Sequence, residues 1–172
     1  MAIGHRGFIR AVACGCIALL PVIALAATKP PKLHATAIQI EAIDAGDVSI
    51  PAEFRLAIYE RLIEKIRADG EFQKIFRSGD KDAKGSPDLV VLRTTVSRFK
   101  QGNQLQRELT TVTGGTTVDV TTTVTAPDGK VVLTNDLSGK VRFFGENLGV
   151  TNDMAKRIAK MVLASYGTAP PH

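Results

Sequence analysis

The clearest pattern in the chain is a strict alternation of apolar and polar residues over 116–126. One side of this segment is mostly apolar, and it carries Val118, Val120, Thr122, Val124 and Ala126. The other side is polar throughout, and it carries Thr117, Asp119, Thr121, Thr123 and Thr125. Because successive side chains of a strand point to opposite faces, this alternation predicts a strand with one buried face and one wet face.

Less regular alternation predicts five further strands, over 33–44, 72–77, 88–100, 105–113 and 130–144. Pro127-Asp128-Gly129 predicts the turn before the last of them, because proline fixes φ and glycine tolerates a positive φ. One face of that last strand carries Val131, Leu133, Leu137, Val141 and Phe143. Asn135 and Gly139 interrupt this face, which predicts a bulge or the margin of the sheet.

Two segments repeat apolar residues every three or four positions, which predicts amphipathic helices. The first begins after Pro51 and ends before Gly70, a residue that readily adopts the left-handed conformation that stops a helix. Its buried stripe contains Phe54, Leu56, Ile58, Leu62, Ile63 and Ile66. The second follows a loop over 145–149 and begins at a cap formed by Thr151 or Asn152. Its inner stripe contains Ala155, Ile158, Met161, Val162 and Ser165.

The order of the elements is therefore β-α-β-β-β-β-β-α. Strands with one wet face, together with two amphipathic helices, predict an α+β fold. We expect a two-layer sandwich, in which a mostly antiparallel sheet carries both helices on one face.

The first 26 residues have the composition of a secretory signal peptide. Arg6 and Arg10 precede a long apolar run, and small residues at Ala24 and Ala26 close it as signal peptidase requires. We predict cleavage between Ala26 and Ala27 and export to the periplasm or beyond. The predicted layout is a signal peptide over 1–26, a leader over 27–32, one domain over 33–166 and a disordered tail over 167–172.

Both cysteines, Cys14 and Cys16, lie in the predicted signal, so the mature chain would contain none. Loss of Arg6 and Arg10 would lower its formal net charge from +5 to +3. Two alternatives to cleavage stay open: lipidation at Cys14, and an uncleaved anchor. An anchor requires about 20 apolar residues, and Pro21 interrupts this run. We predict no stable membrane span in the mature chain.

The mature residues predict no catalytic, cofactor-binding or metal site. The only histidines left are His34, interpreted as a surface residue, and the terminal His172. The segment Asp80 to Gly85 begins like a calcium loop, but Val91 stands where the bidentate glutamate would be needed. A nucleic-acid partner is not expected either, because the charge is small and the aromatic residues fall at apolar-periodic positions.

Phe143 and Phe144 are adjacent at a strand end, so they should point to opposite faces of the sheet. One of them would then be exposed beside the glycine-bearing loop. We predict a partner contact at Phe144, Asn147 and Leu148, and a second candidate contact on the threonine side of 117–125.

The second half of the chain resembles a family of bacterial envelope proteins, domain of unknown function 4410. The resemblance rests on Pro87 to Gly102, an Arg107-bearing strand, the hairpin at 126–132 and the closing segment Ala155 to Lys160. It implies an exported α+β domain. It implies no activity and no functional residues.

These observations lead to one principal hypothesis and two alternatives. We expect a non-catalytic envelope domain that binds a protein or a cell-wall polymer and uses no cofactor. A small hydrolase of cell-wall or polysaccharide substrates would instead need two carboxylates that converge in a pocket, one with a raised pKa. A carrier of a small apolar ligand would need a cavity between the sheet and the helices.

Overall fold

The computed structural model describes residues 33–102, 115–141 and 148–167, all within one compact unit. The strands are β1 (Leu33–His34), β2 (Ala37–Ile40), β3 (Lys74–Arg77), β4 (Leu89–Lys100), β5 (Thr116–Thr125), β6 (Val131–Val141) and β7 (Tyr166–Gly167). The helices are α1 (Ala52–Asp69) and α2 (Leu148–Ser165), and a short 3-10 turn spans Lys81–Ala83. The predicted strand over 105–113 lies outside the described residues.

Five strands form one sheet in the order β3-β2-β4-β5-β6. The long pairs, β4 with β5 and β5 with β6, are antiparallel, and this part is a simple meander. The short strand β2, second from one edge, pairs in parallel with β3 on one side and with β4 on the other. A second small parallel sheet joins β1 to β7. The predicted α+β class is confirmed.

Both helices pack on the same face of the sheet, as predicted. The rings of Phe54 in α1 and Phe99 in β4 meet edge to face, with centroids 5.3 Å apart. On α2, Met154 lies so close to β6 that a Cβ added at Gly139 would be 3.1 Å from its Cε. Phe99, Val118 and Gly139 are paired across the three strands, so the two helices cover one continuous inner face.

The inner face forms the core together with the apolar stripes of the helices. Its fully buried members include Ile38, Ile40, Leu92, Val96, Val118, Val120 and Val124. Burial alternates along β5 without exception, because every second side chain is buried and each one between is partly exposed. The alternation over 116–126 therefore predicted the orientation of this strand correctly.

The helix α1 begins after Pro51 and ends at Gly70, which has the left-handed φ of 78°. Its predicted stripe is buried except at one position, because Leu56 remains 59% exposed. Tyr59 is buried instead. Placing Leu56 in the core was wrong, since the stripe of α1 follows Phe54, Ile58 and Leu62 and leaves Leu56 to one side.

The strand β6 lies at the margin of the sheet, as the interruptions in its apolar face had suggested. The register shifts between Val124 and Thr125, and as a result Thr125 pairs with Val131. Val131 is consequently 53% exposed, and its assignment to the inner face was wrong. Leu133 and Leu137 pair with inner residues of β5 and pack against the core, as predicted.

The helix α2 begins three residues earlier than the predicted cap, at Leu148, so residues 148 and 149 are helical rather than loop. Thr151 and Asn152 both lie inside the helix, so the prediction that one of them caps its start was wrong. The inner stripe is also wider than predicted, because Val150, Met154 and Ala159 are buried. β7 continues directly from this helix and includes Gly167, which had been assigned to the tail.

Candidate functional site

The side chains of β4, β5 and β6 that point away from the helices form a polar surface, called the outer face below. Its members, in paired rows, are Arg93 with Thr123 and Thr134, Thr95 with Thr121 and Asp136, Arg98 with Asp119 and Ser138, and Lys100 with Thr117 and Lys140. The threonine side predicted for 117–125 is the middle of this surface. The outer face thus presents hydroxyl groups and charges of both signs.

Two contacts fix side chains of the outer face across neighbouring strands. The Nε of Arg98 donates a hydrogen bond of 2.6 Å to Oδ2 of Asp119. The hydroxyl of Thr121 donates one of 2.7 Å to Oδ1 of Asp136. The other oxygen of Asp119, Oδ1, is buried and has no hydrogen-bond partner in the described part of the chain. The surface is therefore partly pre-ordered.

The outer face is polar enough to stay in contact with water. Side chains at its edges, such as Arg93, Arg98, Thr134 and Asp136, are exposed, whereas the central threonines are partly exposed. Antiparallel sheets commonly keep one face solvated in this way. This arrangement can form hydrogen bonds and ion pairs over a broad surface.

The predicted contact residues lie largely outside the described part of the chain. Phe144 and Asn147 lie outside the described residues, as do Ala26 and Ala27 at the predicted cleavage site. Leu148 is the first residue of α2. A contact at Phe144, Asn147 and Leu148 therefore stays a prediction.

A cleft of about 460 Å³ lies between α1 and the ends of β2 and β3. Residues from three separated segments line it: Ala42, Ile43, Ala52, Arg55, Leu56, Tyr59, Glu60, Arg77 and Ser78. Sequence reasoning missed this cleft, because nothing in the individual segments indicates that they meet. The order β-α-β before the meander was the one available signal, since it fits a parallel pair joined by a helix.

An ion pair and a tyrosine organise one side of the cleft. The guanidinium of Arg77 donates to both carboxylate oxygens of Glu60, at 2.5 and 2.7 Å, and lies 5.8 Å from the ring centre of Tyr59. The hydrogen bond from Arg77 is the main reason that the pKa of Glu60 is below its ordinary value. The hydroxyl of Tyr59 accepts a 2.9 Å hydrogen bond from the backbone N–H of Ser78.

Neither of the two depressions formed by the described residues is lined by the pair of carboxylates that a hydrolase would need. The cleft is lined by one acid, Glu60, and its pKa is lowered rather than raised. A second depression, of about 490 Å³, lies between Ala83–Ser86 and the β5–β6 turn, and its lining contains no acid.

Metal-binding groups are also dispersed. In the residues that the structure describes, no three His, Cys, Asp or Glu side chains lie together as a metal site would require. Asp80, the first acid of the calcium-like segment, accepts a hydrogen bond from the backbone N–H of Asp82 and caps the short 3-10 turn. His34 lies exposed on β1. Within the described ranges, neither helix is long and apolar enough to cross a membrane.

The chain is similar in fold to PelC from Paraburkholderia phytofirmans, whose structure is a dodecamer. The identity is 16%, the match covers 81% of this chain and 96% of PelC, and the TM-score is 0.58. A single-substitution variant of that dodecamer gives 14% identity, coverage of 76% and 90%, and a TM-score of 0.56. These identities establish a shared fold and nothing beyond it.

A weaker likeness is to a Xanthomonas campestris protein of domain of unknown function 330, with 11% identity, coverage of 77% and 81%, and a TM-score of 0.46. Neither a protein-family model nor a curated protein matches the chain. Membership of domain of unknown function 4410 is therefore not shown, and the neighbours by structure include PelC and a protein of another uncharacterised family.

Proposed function

We propose that this protein is an exported, non-catalytic domain that binds a protein or polymer of the cell envelope through its outer face. The observation that carries the proposal is the outer face itself, a broad polar surface on three adjacent strands. Hydrogen bonds already orient Arg98, Asp119, Thr121 and Asp136 on it. A surface ordered before binding loses less side-chain entropy when a partner arrives.

The composition of the outer face indicates a polar partner. Its cations are two arginines and two lysines, and Asp119 and Asp136 lie among them. Interleaved charges of both signs favour orientation-specific contacts over attraction to a uniformly charged surface. Hydroxyl-bearing or charged groups of an envelope polymer, or a polar protein surface, would satisfy the same side chains.

Export is supported by the sequence, through the basic start, the apolar run and the small residues before Ala27. The non-catalytic part of the proposal rests on a mature chain without cysteine and with two histidines. The similarity to PelC adds one consideration, because those structures are dodecamers. A second copy of this chain is therefore one of the protein partners that the experiment must distinguish.

Site-specific photo-crosslinking in the host tests the proposal. The full chain would carry a photoreactive residue in place of Thr123, on the middle strand of the outer face. The matched control would carry it in place of Arg61, an exposed residue of α1 that forms an ion pair with Glu64. We expect an adduct with one envelope partner from position 123 and none of that identity from position 61.

The adducts also separate the classes of partner. A discrete band identifies a protein, a band at twice the mass of the chain identifies a second copy, and a smear removed by cell-wall digestion identifies a polymer. Absence of adducts from positions 123, 93 and 138 alike would contradict binding through the outer face. The intact mass of the protein from its host tests export separately, since cleavage before Ala27 removes 26 residues.

A further inference from the structure

The cleft beside α1 has the location of a ligand site in an α/β unit. β2 leads into α1, which returns the chain to β3, and β2 and β3 are adjacent and parallel. Ala42 and Ile43 follow β2, whereas Arg77 and Ser78 lie at the end of β3. Open α/β sheets bind ligands in the crevice outside the carboxyl ends of their parallel strands. The volume of about 460 Å³ is typical of small-molecule sites.

The cleft contains two guanidinium groups, and only one of them is neutralised. Arg77 is bound by both oxygens of Glu60. Arg55 forms no ion pair with any acid in the described ranges, and its one hydrogen bond, from Nη1 to the carbonyl of Ile43, is 3.5 Å long. The Nε of Arg55 is buried and has no partner there. Arg55 as a whole is partly exposed and lines the cleft, so an anion bound there would pair with a charge that has no acidic partner in the described ranges.

The rest of the cleft wall is largely apolar. Ala42, Ile43, Ala52 and Leu56 line it. Leu56 is the most exposed large apolar side chain among the described residues, with 59% of its surface accessible. An apolar wall beside a single unpaired cation is complementary to an anion that carries an apolar body.

We propose that this cleft binds a small amphipathic monocarboxylate. The carboxylate accepts hydrogen bonds from Arg55, whose planar fork matches its two oxygens, and the apolar body lies against Leu56 and Ile43. The Tyr59 hydroxyl accepts from Ser78, so its own proton is available for the second carboxylate oxygen. One unpaired cation matches one negative charge, whereas a phosphate monoester carries nearly two. The inference concerns a different surface from the outer face and does not rest on the proposed function.

A titration of the isotope-labelled full chain, followed by amide chemical shifts, tests the proposal. The probe is 4-methylpentanoate, and its matched control is 4-methylpentanamide, which has the same body and no charge. N-acetylleucine is a third probe, which distinguishes the carboxyl end of a peptide from a free aliphatic acid. We expect saturable shifts at Ala42, Ile43 and Leu56 with 4-methylpentanoate, and at least tenfold weaker binding of the amide.

Two substitutions on α1 connect the binding to the cleft. Arg55→Gln should weaken binding of 4-methylpentanoate about tenfold or more, because it removes the unpaired charge. Arg61→Gln removes an equivalent charge from the exposed side of the same helix and should leave the affinity unchanged. Leu56→Ser should weaken binding of the acid without lowering the melting temperature, because Leu56 is already exposed.

Several outcomes would overturn the proposal. Equal affinities of the acid and the amide would exclude recognition of the carboxylate, and this comparison needs no variant. Equal loss of binding in Arg55→Gln and Arg61→Gln would indicate attraction by net charge alone. Inorganic phosphate that shifts the same amides with equal affinity would show a general anion site, and shifts confined to the outer face around Thr123 would place binding elsewhere.

Discussion

The two faces of the meander formed by β4, β5 and β6 are made by the same strands, yet their side chains occupy opposite environments. Thr122 and Thr123 are neighbours in the chain, and one is completely buried under the helices while the other lies in the wet outer face. The residue type is identical, so parity along the strand determines the environment. The comparison shows that this sheet tolerates hydroxyl groups on both faces but apolar bulk mainly on one.

The largest difference in stability between the two faces is expected when a carboxylate is placed first on one face and then on the other. Val124→Asp buries a carboxylate where the side chain has no accessible surface, and should cost about 3 kcal/mol or more in unfolding free energy. Thr123→Asp, one residue away, should change stability by no more than about 0.5 kcal/mol because it faces Arg93 and solvent. Urea denaturation followed by circular dichroism measures both, and equal costs would remove the distinction between the faces.

A smaller contrast is expected where a helix touches the sheet. Gly139→Val adds bulk beneath Met154, whose Cε would be 3.1 Å from the first added carbon, and should cost about 1–3 kcal/mol by overpacking. Ser138→Val points outward and should stay within about 0.5 kcal/mol of the wild type. Thermal melts of the two variants compare the positions. A destabilised Ser138→Val with an unaffected Gly139→Val would show that the helix α2 does not pack here.

Replacing the buried threonines should raise the unfolding free energy, whereas the substitutions described above lower it. Thr94 and Thr122 face each other on the inner face, and neither hydroxyl has a hydrogen-bond partner in the described part of the chain. Replacing both by valine removes two unsatisfied polar groups, and we expect unfolding free energy to rise by about 1 kcal/mol. Thr123→Val on the outer face is the control and should be near neutral. A loss of stability in the double variant would show that the inner hydroxyls are satisfied in solution.

The smallest effect is expected from the ion pair on the outer face. Arg98 is 69% exposed and Asp119 is 19% exposed, so solvent screens their attraction. A double-mutant cycle with Arg98→Ala and Asp119→Ala should give a coupling of about 0.2–1 kcal/mol. The coupling should decrease as salt is added. A coupling that is insensitive to salt would indicate that the pair is buried, for instance by a second copy of the chain.

Regular alternation made the antiparallel part of the fold predictable. The inner residues of β5 were identified correctly because burial follows parity on a strand that is long enough to show it. The same reasoning failed at Val131. A register shift between Val124 and Thr125 turns Val131 to the outer face, and no residue in the sequence indicates this shift. The reasoning also failed at Leu56, because the width of a helical stripe depends on what the helix packs against.

The two candidate sites also differ in how well the sequence predicts them. The outer face could be predicted, because its threonines lie on one strand with period two. The cleft could not, because Ile43, Arg55 and Arg77 become neighbours only through the parallel pairing of β2 with β3. Four-residue strands carry too little pattern to reveal their partners, and the mostly antiparallel sheet that was expected gave no reason to place β2 between two parallel neighbours.

The position of β2 between β3 and β4 has a consequence for the order of folding. The hairpin of β4 and β5 and the hairpin of β5 and β6 join segments that are neighbours in the chain, so their pairing closes comparatively short loops. Ile38 in β2 must instead find Ile75 and Val90, far along the chain. Distant pairings form slowly because the entropy of loop closure is lost before any contact compensates it. The meander should therefore act as the folding nucleus, and β2 should insert late into the gap between β3 and β4, completing the sheet and the cleft in the same step.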